Sequence, residues 1–192
     1  MGTTFIAIDD ALAAWIGAQH MFFVATAPLQ ANGHINCSPK GGGTLRVLGP
    51  NEVAYLDGAG SGIETVAHLR ENGRMVLMLC AFDGPPRIVR LHGTGSVLAP
   101  GEADFATLLP HFPHFPTVRS IVRLSVLRVS DSCGYGVPKM DFRENRQDSK
   151  NYLSKSSDKV MRNYVKKNNQ RSIDGLPALL EAELERLVIN RE

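Results

Sequence analysis

Residues 54–74 read AYLDGAGSGIETVAHLRENGR. The apolar start is typical of a strand, and the glycines after it predict a turn that leads into a helix. Ser61 with Glu64 three residues later fits a capping box at the helix start, and Gly73 fits the helix end. A helix start offers free backbone N–H groups and the positive end of a dipole. We therefore expect this turn to bind an anion such as a phosphate.

A second segment, GHINCSPKGG at residues 33–42, can supply the other half of the same site. His34 to Ser38 is predicted to be a short strand, and Pro39 with the glycines fixes a turn around Lys40. Lys40 can supply the positive charge opposite a bound phosphate. A solvated lysine at a strand end is the alternative interpretation.

The rest of the chain predicts short strands with a few helices. Residues 9–19 fit a helix capped by Asp9 or Asp10, and strands separated by turn residues follow as far as residue 130. Residues 74–82 are apolar almost throughout, which predicts a strand buried on both faces. Leucines at helical spacing predict a helix over residues 177–188. Many short strands with turns between them favour a barrel or a sandwich.

Composition narrows the class of partner. The 192 residues carry a formal net charge of +2, with 43% hydrophobic and 21% charged residues, which is ordinary for a globular protein. This near balance does not favour nucleic acid as a partner. Three widely spaced cysteines argue against a disulfide framework and favour a reducing, cytoplasmic location. We expect no signal peptide, no membrane-spanning segment and no metal site.

Five blocks together resemble a known family. They are FFVATA (22–27), GHINCSPKGG (33–42), VAYLDGAGSGIETVAHLRENGR (53–74), AFDGPPRIVRLHGTG (81–95) and SCGYGVP (132–138). Their order and spacing resemble the FMN-binding split-barrel proteins related to pyridoxamine 5′-phosphate oxidase, over roughly residues 20–140.

The resemblance implies a mainly β fold: a six-stranded, Greek-key split β-barrel with short flanking helices and a helical C-terminal tail. Residues 1–140 would form the FMN-binding barrel domain. Residues 141–192 would form a polar, mostly helical extension packed on the same domain. The resemblance also implies a homodimer with FMN at the interface and a small-molecule substrate.

The same resemblance implies site residues on four segments. Those expected to bind the cofactor are Ile35, Asn36, Cys37, Ser38, Lys40, Leu56, Asp57, Ser61, Gly62, Glu64, Thr65, Arg87 and Ile88. Cys133 and Tyr135 are expected to reach the site of the neighbouring subunit. No catalytic side chain is singled out.

The function implied is an FMN-dependent oxidoreductase that transfers a hydride at flavin N5 to or from a small organic substrate. A non-catalytic flavin-binding or sensing protein is the alternative, as is a site for the deazaflavin F420 or for haem. The chain departs from the oxidases at two places. Glu64 and Thr65 stand where the oxidases have basic residues, and Arg90-Leu91-His92 lies mid-chain rather than at the C-terminus. Instead of pyridoxamine phosphate oxidation, a different flavin reaction or no turnover at all is therefore expected.

Overall fold

A computed structural model describes residues 2–148, 151 and 155–190. The strands are β1 Thr4–Phe5, β2 Met21–Thr26, β3 Asn36–Gly41, β4 Leu45–Gly49, β5 Glu52–Gly58, β6 Arg74–Cys80, β7 Ile88–Leu98, β8 Thr117–Ser132 and β9 Val188–Ile189. The helices are α1 Asp10–Ala18, α2 Glu64–Glu71, α3 Ala103–Leu108, α4 Asp158–Asn169 and α5 Glu181–Glu185, and a 3₁₀ turn spans Leu109–His111.

The strands form one antiparallel sheet that curls into a half-barrel. Seven strands follow the order β3-β2-β6-β7-β8-β5-β4, and the two-residue strands β1 and β9 both pair with β8. The two ends of that order, β3 and β4, are consecutive in the chain. The link between them passes through Gly42 and Gly43, whose φ angles of 68° and 66° favour glycine. The predicted mainly β split-barrel fold is confirmed, with nine strands in the described part of the chain rather than six.

The main core fills the concave side of the sheet. Val24, Leu77 and Leu91 are fully buried there, and α1 closes it with Leu12 and Ile16. The predicted cap of α1 is confirmed, because the Asp9 carboxylate accepts a hydrogen bond of 2.7 Å from the Leu12 N–H. The core thus fixes α1 beside the ends of β3 and β4.

Strand β6 is buried on one face only, so the prediction of burial on both faces is wrong. Met75, Leu77 and Leu79 are buried, whereas Val76 and Met78 between them are half-buried. The outward residues continue an apolar strip onto β2, where Met78 pairs with Phe23. An apolar run in sequence does not distinguish a core face from an apolar outer face.

The C-terminal segment packs on α2 and builds a second core. Leu179, Leu184 and Leu187 are buried against Ile63 and Val66. The predicted helix over residues 177–188 is wrong, since only residues 181–185 are helical. Residues 178 and 179 instead donate backbone hydrogen bonds to carbonyls at the end of α4.

The prediction of one or two helices in the polar stretch 141–171 is confirmed by α4. Residues 149, 150 and 152–154 of that stretch lie outside the described residues. Of the helices described, none combines the length and apolar character needed to cross a bilayer. The division into a barrel domain and an extension stays a prediction.

Candidate functional site

One large cleft of about 1530 Å³ opens between α1, β3, the turn after β5 and the extended segment 140–146. Its volume exceeds that of most small-ligand pockets, which span roughly 300–1,000 Å³. The glycine turn 58–62 and the start of α2 border one end. The aromatic residues Trp15 and Phe142 also line the cleft.

A buried ion cluster forms the floor at the glycine-turn end. Asp57 is 1% exposed and Arg119 is 5% exposed. The Arg119 Nε–H donates to Asp57 Oδ2 at 2.6 Å, and the Lys40 ammonium donates to Asp57 Oδ1 at 2.8 Å. Burial by itself raises the pKa of the Asp57 carboxyl, but the two cations outweigh burial and hold that pKa well below its usual range. The cluster fixes Lys40 at the edge of the cleft.

Arg119 also shapes the glycine turn. Its Nη1 donates to the Gly62 carbonyl at 2.7 Å and to the Asn169 amide oxygen at 2.9 Å. Asn169 is fully buried, and its amide nitrogen donates to the Gly60 carbonyl at 3.0 Å. The turn is therefore held from inside by β8 and by the end of α4.

The capping box predicted for the start of α2 is wrong. The helix begins at Glu64, and its N-cap residue is Ile63, with no capping side chain from Ser61. The Glu64 carboxylate instead accepts the Ile63 N–H at 3.0 Å and the Ile173 N–H at 3.2 Å. The box failed because Ser61 as the N-cap requires a helix that begins two residues earlier, whereas Gly62 and Ile63 remain outside the helix.

Strand β3 presents a row of polar side chains to the cleft. Asn36, Ser38 and Lys40 line it, because alternate residues of a strand share a face. The Ser38 hydroxyl donates to the Asn36 amide oxygen at 2.8 Å, and the Asn36 amide nitrogen donates to the Thr65 hydroxyl at 3.0 Å. These bonds fix the Asn36 amide and join β3 to the first turn of α2.

The polar row continues inward to a buried histidine. The hydroxyl of Thr26 lies 2.9 Å from Nδ1 of His68 and 3.4 Å from the Asn36 amide nitrogen. Burial lowers the pKa of His68, so the neutral imidazole is favoured. The network therefore stiffens the wall of the cleft without adding charge.

Aromatic side chains line another part of the cleft, which we call the aromatic end. The His20 and Phe142 rings stack with centroids 3.6 Å apart and an interplanar angle of 12°. The Arg87 guanidinium lies 5.0 Å from the Trp15 ring centroid and donates to Asp131 at 3.1 Å. The Met140 N–H donates to the Phe82 carbonyl at 2.9 Å, which ties segment 140–146 across this end.

The structure gathers part of the predicted set around the cleft. The lining residues among those predicted are Asn36, Ser38, Lys40, Leu56, Gly62, Glu64, Thr65 and Arg87. Asp57 lies behind the lining and bonds to Lys40. The predicted residues outside the lining are Ile35, Cys37, Ser61, Ile88, Cys133 and Tyr135. Whether any of these residues binds a cofactor stays a prediction.

Sequence reasoning missed Arg119 and the segment 140–146. An arginine inside the apolar run of β8 was the available signal, because a buried guanidinium needs a carboxylate partner. Met140 and Phe142, both about half exposed, stand in a polar stretch without periodicity. Nothing in that stretch predicts that it crosses the cleft.

Comparison with known proteins places these features in a family. The family model described as pyridoxamine 5′-phosphate oxidase matches residues 8–130. The pyridoxamine 5′-phosphate oxidase family protein ustO of Aspergillus flavus is 38% identical over 192 residues, covering 91% of this chain and 77% of that protein.

Two solved structures are similar to this chain at low identity. A variant of HupZ from Group A Streptococcus is 18% identical, with a TM-score of 0.51, over 65% of this chain and 99% of that chain. A FAD-binding protein of Mesorhizobium loti is 13% identical, with a TM-score of 0.48, over 68% of this chain and 96% of that chain. At this identity the HupZ likeness bears on the fold alone.

Proposed function

The chain belongs to the pyridoxamine 5′-phosphate oxidase family, and from that premise we propose that it is an FMN-dependent oxidoreductase acting on a small organic substrate. One observation carries the proposal: Asn36, Ser38 and Lys40 form a polar row along the cleft, with a cation at its end. The cleft volume of about 1530 Å³ leaves room for a planar cofactor and a substrate together.

Asn36, Ser38 and Lys40 are the residues that would hold the cofactor. Such a cofactor would supply the hydride chemistry that side chains cannot supply themselves. The bonds from Asn36 to Ser38 and Thr65 keep the amide in one orientation, and the Asp57 carboxylate keeps Lys40 at the cleft edge. Segment 140–146 would exclude water from the aromatic end and limit the size of the substrate.

Titration of purified protein with FMN tests the cofactor. We expect saturable quenching of flavin fluorescence, weakened by Lys40→Met and unchanged by Lys167→Met, a lysine exposed on α4. Multiple turnovers with NADH or NADPH would then establish an enzyme. Protein that leaves flavin fluorescence unchanged at high concentration would refute the cofactor assignment.

A non-catalytic flavin-binding protein is the second candidate. Three cations of the cleft already have carboxylate partners, since Lys40 and Arg119 bond to Asp57 and Arg87 bonds to Asp131. A cation with a carboxylate partner is less available to grip an anionic substrate. Binding of FMN without turnover would favour this candidate, and the absorption spectrum of whatever co-purifies would separate flavin from F420 or haem.

We further propose a homodimer formed through the outward face of β2, β3 and β6. Phe23 pairs with Pro39 on one side and with Met78 on the other, which makes a continuous apolar strip. Met78→Lys would place a charge in that strip and should give monomers by light scattering, whereas Val160→Lys on α4 should not. A wild-type chain that is monomeric at high concentration would contradict the dimer.

A further inference from the structure

The start of α2 faces the cleft, and the Glu64 side chain already accepts one of its backbone donors, the Ile63 N–H. The Glu64 carboxylate accepts the Ile63 N–H at 3.0 Å through one oxygen and the Ile173 N–H at 3.2 Å through the other. Glu64 also lines the cleft. A side-chain carboxylate thus occupies the place where a helix start would otherwise bind an external anion.

The charges around this end of the cleft cancel. Lys40 and Arg119 are cations, and both donate to the buried Asp57 carboxylate. Glu64 adds a second carboxylate, so two positive and two negative side chains border the turn. A dianionic phosphate entering here would meet no net positive charge and would be repelled by the Glu64 carboxylate close by.

Glu64 is also held in place from the C-terminal side. The Ile173 N–H that it accepts lies 109 residues away, between the end of α4 and the buried Leu179. Turning the carboxylate away would break this bond and the bond to Ile63, leaving two N–H donors without their acceptor. The carboxylate is therefore part of the wall of the cleft.

We propose that, with a flavin in this cleft as proposed above, Glu64 is a specificity-determining residue that removes most of the advantage of a terminal phosphate. The cleft would then recognise the flavin mainly through its ring system and neutral polyol chain. Riboflavin would bind almost as tightly as FMN. The ligand is thus a flavin, with or without a terminal phosphate, because the phosphate contributes little to affinity.

The test compares two ligands on three proteins by flavin fluorescence quenching. For the wild-type chain, we expect the Kd of riboflavin to exceed that of FMN by less than about tenfold. Glu64→Gln removes one negative charge at nearly constant size and should increase this ratio about tenfold, mainly by tightening FMN. Glu71→Gln removes a charge from the far end of the same helix, outside the cleft lining, and should leave the ratio unchanged.

The outcomes separate this proposal from the one on which it rests. A wild-type ratio of the riboflavin Kd to the FMN Kd above about a hundredfold would overturn the role of Glu64 while leaving a flavin site intact. This measurement uses the wild-type chain alone and does not depend on the folding of a variant. A ratio in Glu64→Gln equal to that of the wild type would overturn the role as well. Failure of both flavins to bind the wild-type chain would overturn the flavin site and this proposal together.

Discussion

Replacing Asp57 by Asn removes the counter-ion of the buried cluster while nearly preserving its shape. Arg119 is 5% exposed, so its guanidinium cannot move into water when the carboxylate is lost. The side chain of Lys40 is 23% exposed and can reach solvent. The free-energy cost should therefore come mainly from Arg119.

The magnitude follows from the geometry of the pair. The Nε–Oδ2 distance is 2.6 Å, and charge centres about 4 Å apart attract by about 4 kcal/mol at an effective dielectric constant of about 20. Removing one partner of a buried pair typically costs about 3–5 kcal/mol. We expect Asp57→Asn to lower the free energy of unfolding by this amount, a large fraction of the roughly 5–15 kcal/mol of a typical domain.

Urea unfolding followed by fluorescence of Trp15, the single tryptophan, measures the change. Arg123→Met is the control, because its partners Glu52 and Asp104 are 43% and 60% exposed and the loss should stay below about 1 kcal/mol. Asp57→Asn combined with Arg119→Met should cost less than the sum of the two single changes. A loss below about 1 kcal/mol in Asp57→Asn, or strict additivity in the double variant, would refute the reasoning.

Three further outcomes are expected. Because the folded-state pKa of Asp57 lies below its ordinary value of 3.8, its stabilisation is fully present above about pH 4 and is lost as the pH falls below that value. Acid titration of unfolding should show this loss in the wild type and a flatter profile in Asp57→Asn. Gly93→Ala should lower the free energy of unfolding in urea by about 1–3 kcal/mol or more, because a Cβ there would lie 1.9 Å from the Ser125 carbonyl oxygen. Its control is Gly49→Ala, where an added Cβ would meet nothing within 4 Å and the free energy of unfolding should change by less than about 1 kcal/mol. Asn169→Ala should lower the free energy of unfolding by about 1–3 kcal/mol, because it leaves buried polar groups of Arg119 and of the glycine turn without a partner. Equal stability of the variant and the wild type would contradict the role of Asn169 in holding the turn.

Much of the fold was predictable because its signals are local. The Asp9 cap of α1, the strand before the glycine turn and the stop at Gly73, with φ of 69°, each involve residues close in sequence. The resemblance of the five blocks then indicated the split-barrel fold. Local signals failed for the helix over residues 177–188, where leucine spacing also fits an extended segment that packs on α2.

The candidate site was predictable only in part. The spacing of Asn36, Ser38 and Lys40 puts them on one face of any strand, so their shared side follows from sequence. Which face meets the cleft does not follow from spacing, because alternation does not say which side of β3 the rest of the chain covers. The role of segment 140–146 also depends on a contact between Phe142 and His20, which are 122 positions apart in the printed sequence.

Residue types and short-range patterns were sufficient to predict the longer strands, the glycine turn and the helix after it, and the resemblance of the five blocks indicated the family. Folding decided how the charges near that turn are paired. Arg119 meets Asp57 across 62 residues, and Glu64 meets Ile173 across 109. Such pairs depend on which elements the sheet and the second core bring together, and no local pattern encodes them. The anion site expected at the start of α2 therefore carries its own carboxylate. The sequence showed that Glu64 stands there, but only the tertiary structure showed that its carboxylate is fixed by two hydrogen bonds.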